Sequence, residues 1–124
     1  MAVKVVDASA LAALLFNEPE STGIAEHLQD STLIAPGLLE FELAHVCLSK
    51  CRRHPDQREA ILAAFALRRR MAIEAAPVDH AAVLGLAFET DLTAYDASYL
   101  WLARAAGAEL VTLDQALARA AAAG

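Results

Sequence analysis

A chain of 124 residues has the length of one domain that can bury a sizeable core. Hydrophobic residues make up 57% of it and aromatics only 6%, so that core is to be built from Ala, Leu and Val. No apolar run reaches the ~18 residues of a membrane span, Lys4 and Asp7 break up any secretory leader, and the net charge of −6 argues against broad electrostatic coating of nucleic acid. These observations predict a cytoplasmic protein without membrane contact, one domain over residues 1–124.

Taken in chain order, residues 3–6 read as a short buried strand and Ala8–Phe16 as an apolar helix. Asn17-Glu18-Pro19-Glu20 breaks the pattern, and Pro19 suits the first turn of a second helix reaching about Gln29. Thr32–Ala35 is a second strand, closed by Pro36-Gly37. Residues 38–53 form a long helix, apolar on nearly every side and therefore expected to be largely buried. His54-Pro55-Asp56 ends it, and another helix covers about 57–70. Ala72–Ala76 is a weak third strand, followed by helices from Asp79 to about Glu89 and over 94–106, the latter stopped by Gly107. Glu109–Leu113 is the last strand, and an Ala-rich helix closes the chain with a tail, Ala120–Gly124, expected to fray. Strands alternating with helices predict an α/β fold: a three-layer sandwich whose central, mostly parallel sheet of four to five strands is flanked by helices.

The first and last strands share a feature. Val5-Val6-Asp7-Ala8 and Leu113-Asp114-Gln115-Ala116 each run from an apolar stretch through an aspartate into helix-forming residues. The carboxyl ends of strands are where open α/β sheets bind ligands. Each aspartate also has a purely structural explanation as a helix N-cap. Between them, Glu42 lies in the apolar helix 38–53, where a carboxylate must be paired, protonated or bound to a cation, and Glu40 competes with it for that role. Asp96 shares a helix face with Leu100 and Ala103, although Thr93-Ala94-Tyr95-Asp96 also fits a capping box. Clustered carboxylates with oxygen-only donors suit Mg²⁺ or Mn²⁺ and hydrolysis of phosphate esters. The basic runs Lys50–Arg53 and Arg68–Arg70 read either as solvated helix ends or as a flank for a phosphate backbone. Cys47 and Cys51 read as reduced structural thiols, because their spacing with His45 and His54 matches no standard zinc pattern.

At these residues the chain resembles PIN-domain ribonucleases, most closely the VapC-type toxins of bacterial toxin–antitoxin pairs. The likeness is carried by Val6-Asp7-Ala8-Ser9-Ala10-Leu11, Glu18-Pro19-Glu20, Ala35-Pro36 with Glu42 six residues on, Leu92–Leu100, and Leu110-Val111-Thr112-Leu113-Asp114. The resemblance implies that Asp7, Glu42, Asp96 and Asp114 form a catalytic quartet holding Mg²⁺ or Mn²⁺. Ser9 and Thr112 then match hydroxyls that orient a carboxylate or a water. The implied reaction is endonucleolytic cleavage of RNA, tRNA among the candidates, leaving a 5′-phosphate and a 3′-hydroxyl. A homodimer is implied, held inactive by a cognate antitoxin protein through which operator DNA is bound only indirectly. Two positions depart from the pattern. His45 stands where Asn is common, one turn from Glu42, and reads equally as a hydrogen-bond partner of Glu42 or as a neutral spacer. Asp91 stands where Gly often precedes the Leu-Thr pair, and reads as a loop variation that adds a carboxylate near the site.

Two other classes compete. One is a catalytically inactive PIN-like module that binds RNA or protein. The other is a receiver-like phosphoacceptor, which needs a lysine near the last strands, whereas Lys4 and Lys50 both lie in the first half.

Overall fold

In the computed structural model, which describes residues 1–123, Val5 and Val6 are both fully buried. Successive side chains of a strand point to opposite faces, so the strand that carries them, β1 (Ala2–Val6), is covered on both sides. It pairs in parallel with β2 (Ser31–Ala35), Val5 opposite Ile34. A two-residue β3 (Glu74–Ala75) extends the sheet beyond β2. On the other flank β1 pairs in parallel with β4 (Glu109–Val111), Val6 opposite Val111. The order is β3-β2-β1-β4, with every strand parallel. The chain builds outward from β1 to β3 and then returns to the opposite side of β1. The crevice at the carboxyl ends of β1 and β4 is therefore the topological switch point, where this architecture opens a binding site.

Among the described residues seven α-helices flank the sheet: α1 (Ala8–Leu15), α2 (Ser21–Leu28), α3 (Leu38–Arg53), α4 (Arg58–Ala66), α5 (His80–Thr90), α6 (Ala94–Ala106) and α7 (Gln115–Ala123). Helix α6 packs on β1 and β4 and meets α5 and α7, while α1 meets α2 and α3. The result is the expected three-layer α/β sandwich, with four strands. Among the described residues no helix is long and apolar enough to cross a membrane.

Local signals place most boundaries. Gly107 takes a left-handed conformation (φ 61°) after α6, and the amides of Gly107 and Ala108 return to the carbonyls of Arg104 and Ala103, the paired bonds of a Schellman stop. Four expectations change. Helix α2 starts at Ser21, so Pro19 belongs to the turn before it. The third strand shrinks to Glu74–Ala75 because Ala72 is left-handed (φ 51°), which no extended chain accommodates. The helix expected over 57–70 is α4 followed by a 3₁₀ segment, Leu67–Met71. Strand β4 stops at Val111 because the amides beyond it turn to side-chain partners: Leu113 N–H to Ser9 Oγ and Asp114 N–H to Thr112 Oγ1.

Helix α3 departs most from its expected burial. Only the i, i+4 stripe Leu39, Leu43 and Cys47 is buried, while Phe41 is 78% exposed and Leu48 also faces solvent. The helix packs on α1 and α4, its Glu42 and Glu40 meet Tyr99 and Arg68, and Phe41 and Leu48 stay exposed. Helix α7 continues through Ala123, and Gly124, the end of the tail expected to fray, lies outside the described residues.

Candidate active site

Asp7 leaves β1 one residue after Val6 and is only 5% exposed. Its amide donates to Val111 O at 3.2 Å and so prolongs the β1–β4 pairing. Its carboxylate does cap α1: Oδ1 accepts from Ala10 N–H at 3.0 Å and from Ser9 Oγ at 2.7 Å, and Oδ2 accepts from Thr112 Oγ1. A hydroxyl has one proton, and here the protons of both Ser9 and Thr112 go to Asp7. Their mutual 3.3 Å contact is thus not a hydrogen bond but the spacing of two donors on one carboxylate. Each hydroxyl oxygen also accepts a backbone amide from the loop after β4, Leu113 N–H on Ser9 and Asp114 N–H on Thr112. The two hydroxyls therefore lock the carboxylate and clamp the loops after β1 and β4 together.

Asp114 is exposed at the other side of this junction and caps α7, its Oδ1 accepting from Leu117 N–H at 2.9 Å. Capping and a place at the switch point thus coexist for both aspartates.

Glu42, in the second turn of α3, is half-buried, and Tyr99 of α6 donates its hydroxyl to Oε1 at 2.5 Å. Burial raises the Glu42 pKa, the Tyr99 bond opposes that rise, and the charges of Asp96 and Asp7 add to it. Tyr99 is 1% exposed, and burial together with Glu42 pushes its own pKa far above the ordinary range, so the phenol stays a donor. Sequence reasoning passed over Tyr99. The available signal was a phenol three residues after Asp96 in an apolar helix, which needs a partner for its hydroxyl.

Asp96 lies in the first turn of α6. Thr93 caps that turn with its own side chain, Oγ1 accepting from Asp96 N–H at 3.1 Å. The reciprocal bond of a capping box is absent among the described residues, and the Asp96 carboxylate takes no hydrogen bond. Its pKa is raised first by burial, then by Asp114 and Asp7. Each of the four predicted acids therefore lies within electrostatic reach of Asp96 or Glu42. Among the described residues no salt bridge reaches any of them. Nor do any three acidic, histidine or cysteine side chains stand close enough together to enclose an ion unaided.

The remaining candidates fall outside this group. Glu40 points to the surface and pairs with Arg68 Nε at 3.1 Å, which leaves Glu42 as the acid of α3 that faces the cleft. His45 is exposed and makes no hydrogen bond to Glu42, because on α3 it faces solvent while Tyr99 fills the position expected for it. Asp91 ends α5 in the left-handed region (φ 59°), a conformation that favours Gly and tolerates Asp. It is exposed and is not among the charges acting on Glu42 or Asp96. Lys50 bonds Glu18 at 2.6 Å over the Phe16 ring, and Arg68 stacks on Phe65 beside Glu40. One member of each basic run is thus tied into the fold. Both cysteines are free, Cys47 is buried, and burial raises its thiol pKa.

Comparison with known proteins places the fold. No curated protein matches the chain. Among solved structures it is similar to the crystal structure of PAE2754 from Pyrobaculum aerophilum, with 28% sequence identity, a TM-score of 0.75, and coverage of 97% of this chain and 87% of that one. A model of the PIN domain matches residues 4–123. With the parallel sheet and its switch point in place, the chain belongs to the PIN-domain family, whose members are generally nucleases that hydrolyse phosphodiester bonds.

Proposed function

We propose that this chain is a Mg²⁺- or Mn²⁺-dependent endoribonuclease in which Asp7, Glu42, Asp96 and Asp114 form the catalytic site. What supports the reading is that Glu42 and Asp96 feel each other's charge or those of Asp7 and Asp114, and that among the described residues no salt bridge reaches any of the four. Burial first, and then mutual repulsion, raises the pKa of two of them; a bound cation would relieve that repulsion. Oxygen-only donors suit Mg²⁺ or Mn²⁺, and Mg²⁺ keeps several waters and uses few protein carboxylates, which fits acids that do not close into a cage. When bound, the ion supplies charge neutralisation at the phosphate and activation of water.

The chain's residues supply the positioning. Ser9 and Thr112 hold Asp7 in one orientation, and Tyr99 holds Glu42. Asp96 keeps its carboxylate free of hydrogen bonds. In the reaction a water oxygen bonds to phosphorus, the bond from phosphorus to the 3′ oxygen breaks, and the products are a 5′-phosphate and a 3′-hydroxyl. By its resemblance to VapC-type toxins, the protein acts in the cytoplasm as a homodimer restrained by a cognate antitoxin. Phe41 and Phe88, 78% and 87% exposed, support an association surface.

The test is cleavage of purified total RNA, tRNA included, by antitoxin-free protein with Mg²⁺ or Mn²⁺, with EDTA, and with Asp7→Asn. Asn caps a helix as well as Asp does, so the variant should keep its circular dichroism spectrum. It should lose at least about a hundredfold in cleavage. Equal cleavage by the variant would remove the assignment and leave a binding module.

A further inference from the structure

A cavity of about 590 Å³ shares its walls with two of the helices that carry the carboxylates, a volume in the range of small-ligand pockets. Pro36, Leu38, Val83, Leu84, Tyr95 and Ser98 line it, and no Asp, Glu, Lys or Arg does. Leu38 precedes Glu42 by one helical turn, roughly 6 Å along the axis, and Tyr95 immediately precedes Asp96. The pocket is thus mostly apolar, with the His80 imidazole as its one ionisable side chain, and it sits beside a strongly acidic cleft.

We propose that this pocket receives a nucleobase of the RNA next to the cut phosphate, and that Tyr95 and Ser98 help to set base preference. The proposal rests on the ribonuclease reading and names what the substrate presents beyond its phosphate. A nucleotide has two chemically different ends joined by one sugar: an anion, which a cation on the carboxylates would hold, and a flat neutral ring. The two neighbouring sites match those ends, whereas a charged side chain would be desolvated in the pocket without a partner. Tyr95 is exposed at the rim and its hydroxyl has no hydrogen bond among the described residues, so its ring is available for stacking. Ser98 is buried, and its hydroxyl proton is committed to Tyr95 O at 2.6 Å. Its oxygen lone pairs remain as acceptors for an amino or imino hydrogen of a base.

The experiment titrates 2-aminopurine riboside, whose fluorescence falls when its ring stacks, into the full chain. Because this nucleoside has no phosphate, its binding depends on the pocket and not on the carboxylates. Saturable quenching is expected with the natural chain and with Glu59→Gln, a change at an exposed position of α4. Binding should be about tenfold weaker in Tyr95→Ala, and because Tyr95 is exposed that variant should still fold. A cleavage panel of short RNAs then expects the preference at one position beside the cut to weaken in Tyr95→Ala. No quenching, or equal quenching by Tyr95→Ala, overturns the proposal and leaves an apolar segment of a partner protein as the occupant. If the nucleoside binds as expected while Asp7→Asn cuts RNA normally, the pocket stands and the catalytic assignment falls. Metal-dependent cleavage without nucleoside binding means the reverse.

Discussion

The Tyr99 hydroxyl donates to Glu42 Oε1 and ties the first half of α6 to the second turn of α3, two segments separated by 57 residues. The bond lowers the Glu42 pKa against burial and two neighbouring carboxylates. Tyr99→Phe keeps the buried ring and deletes only that donor. Loss of a hydrogen bond to a charged acceptor should cost about 1.5–3 kcal/mol at most, less here because Glu42 is half-exposed to water. The sharper readout is metal affinity. A higher Glu42 pKa lets protons compete better with the cation, so the Mg²⁺ concentration for half-maximal cleavage should rise, and rise more at acid than at neutral pH. A pH-independent change would assign Tyr99 to packing alone.

Stability of the metal-free protein should fall as pH rises above the ordinary carboxylate range. Glu42 and Asp96 have folded pKa values raised above 4.5 and 3.8. The folded state therefore binds more protons than the unfolded state between those values and the raised ones, and stability decreases with pH across that window. Below 3.8 and 4.5 the contribution is fully present, and above the raised values it is lost. Thermal melts in EDTA should show a downward slope that Glu42→Gln and Asp96→Asn flatten and that excess Mg²⁺ reverses. Identical slopes in all three proteins would place the titration elsewhere.

Ser9 and Thr112 should act as one unit, because their protons occupy the two oxygens of Asp7. Ser9→Ala and Thr112→Val are each expected to lower cleavage by about 10–100-fold, the usual effect of groups that orient a metal-binding side chain. The double variant should lose less than the product of the two, since either deletion already releases the same carboxylate. Thr112→Ser, which keeps the donor, should restore most of the activity. Multiplicative losses would mean that the hydroxyls act on different groups.

The two acids of α3 should behave in opposite ways. Glu40 is an exposed partner of Arg68, and an exposed ion pair contributes at most about 1 kcal/mol. Glu40→Gln should therefore leave cleavage within about twofold and shift the melting midpoint little. Glu42→Gln should lose cleavage by about a hundredfold or more. A strong effect from Glu40→Gln would move the site to the other face of the helix.

Much of this architecture is legible along the chain, because short-range chemistry sets it. Periodicity and stop signals delimit α3 over Leu38–Arg53 and α6 up to Gly107, and Asp7 marks the end of β1, whereas Asp114 lies three residues beyond β4. What the tertiary structure decided is which groups meet. Thr112 reaches Asp7 across 105 residues and Tyr99 reaches Glu42 across 57. That Glu42 meets Tyr99 while Glu40 meets Arg68, that His45 faces solvent, and that Phe41 is exposed all follow from which stripe of α3 rests on its neighbours. A helical pattern records that a face is apolar, but the cost or gain of exposing it depends on what packs there, and that is settled only when distant strands and helices close around one core.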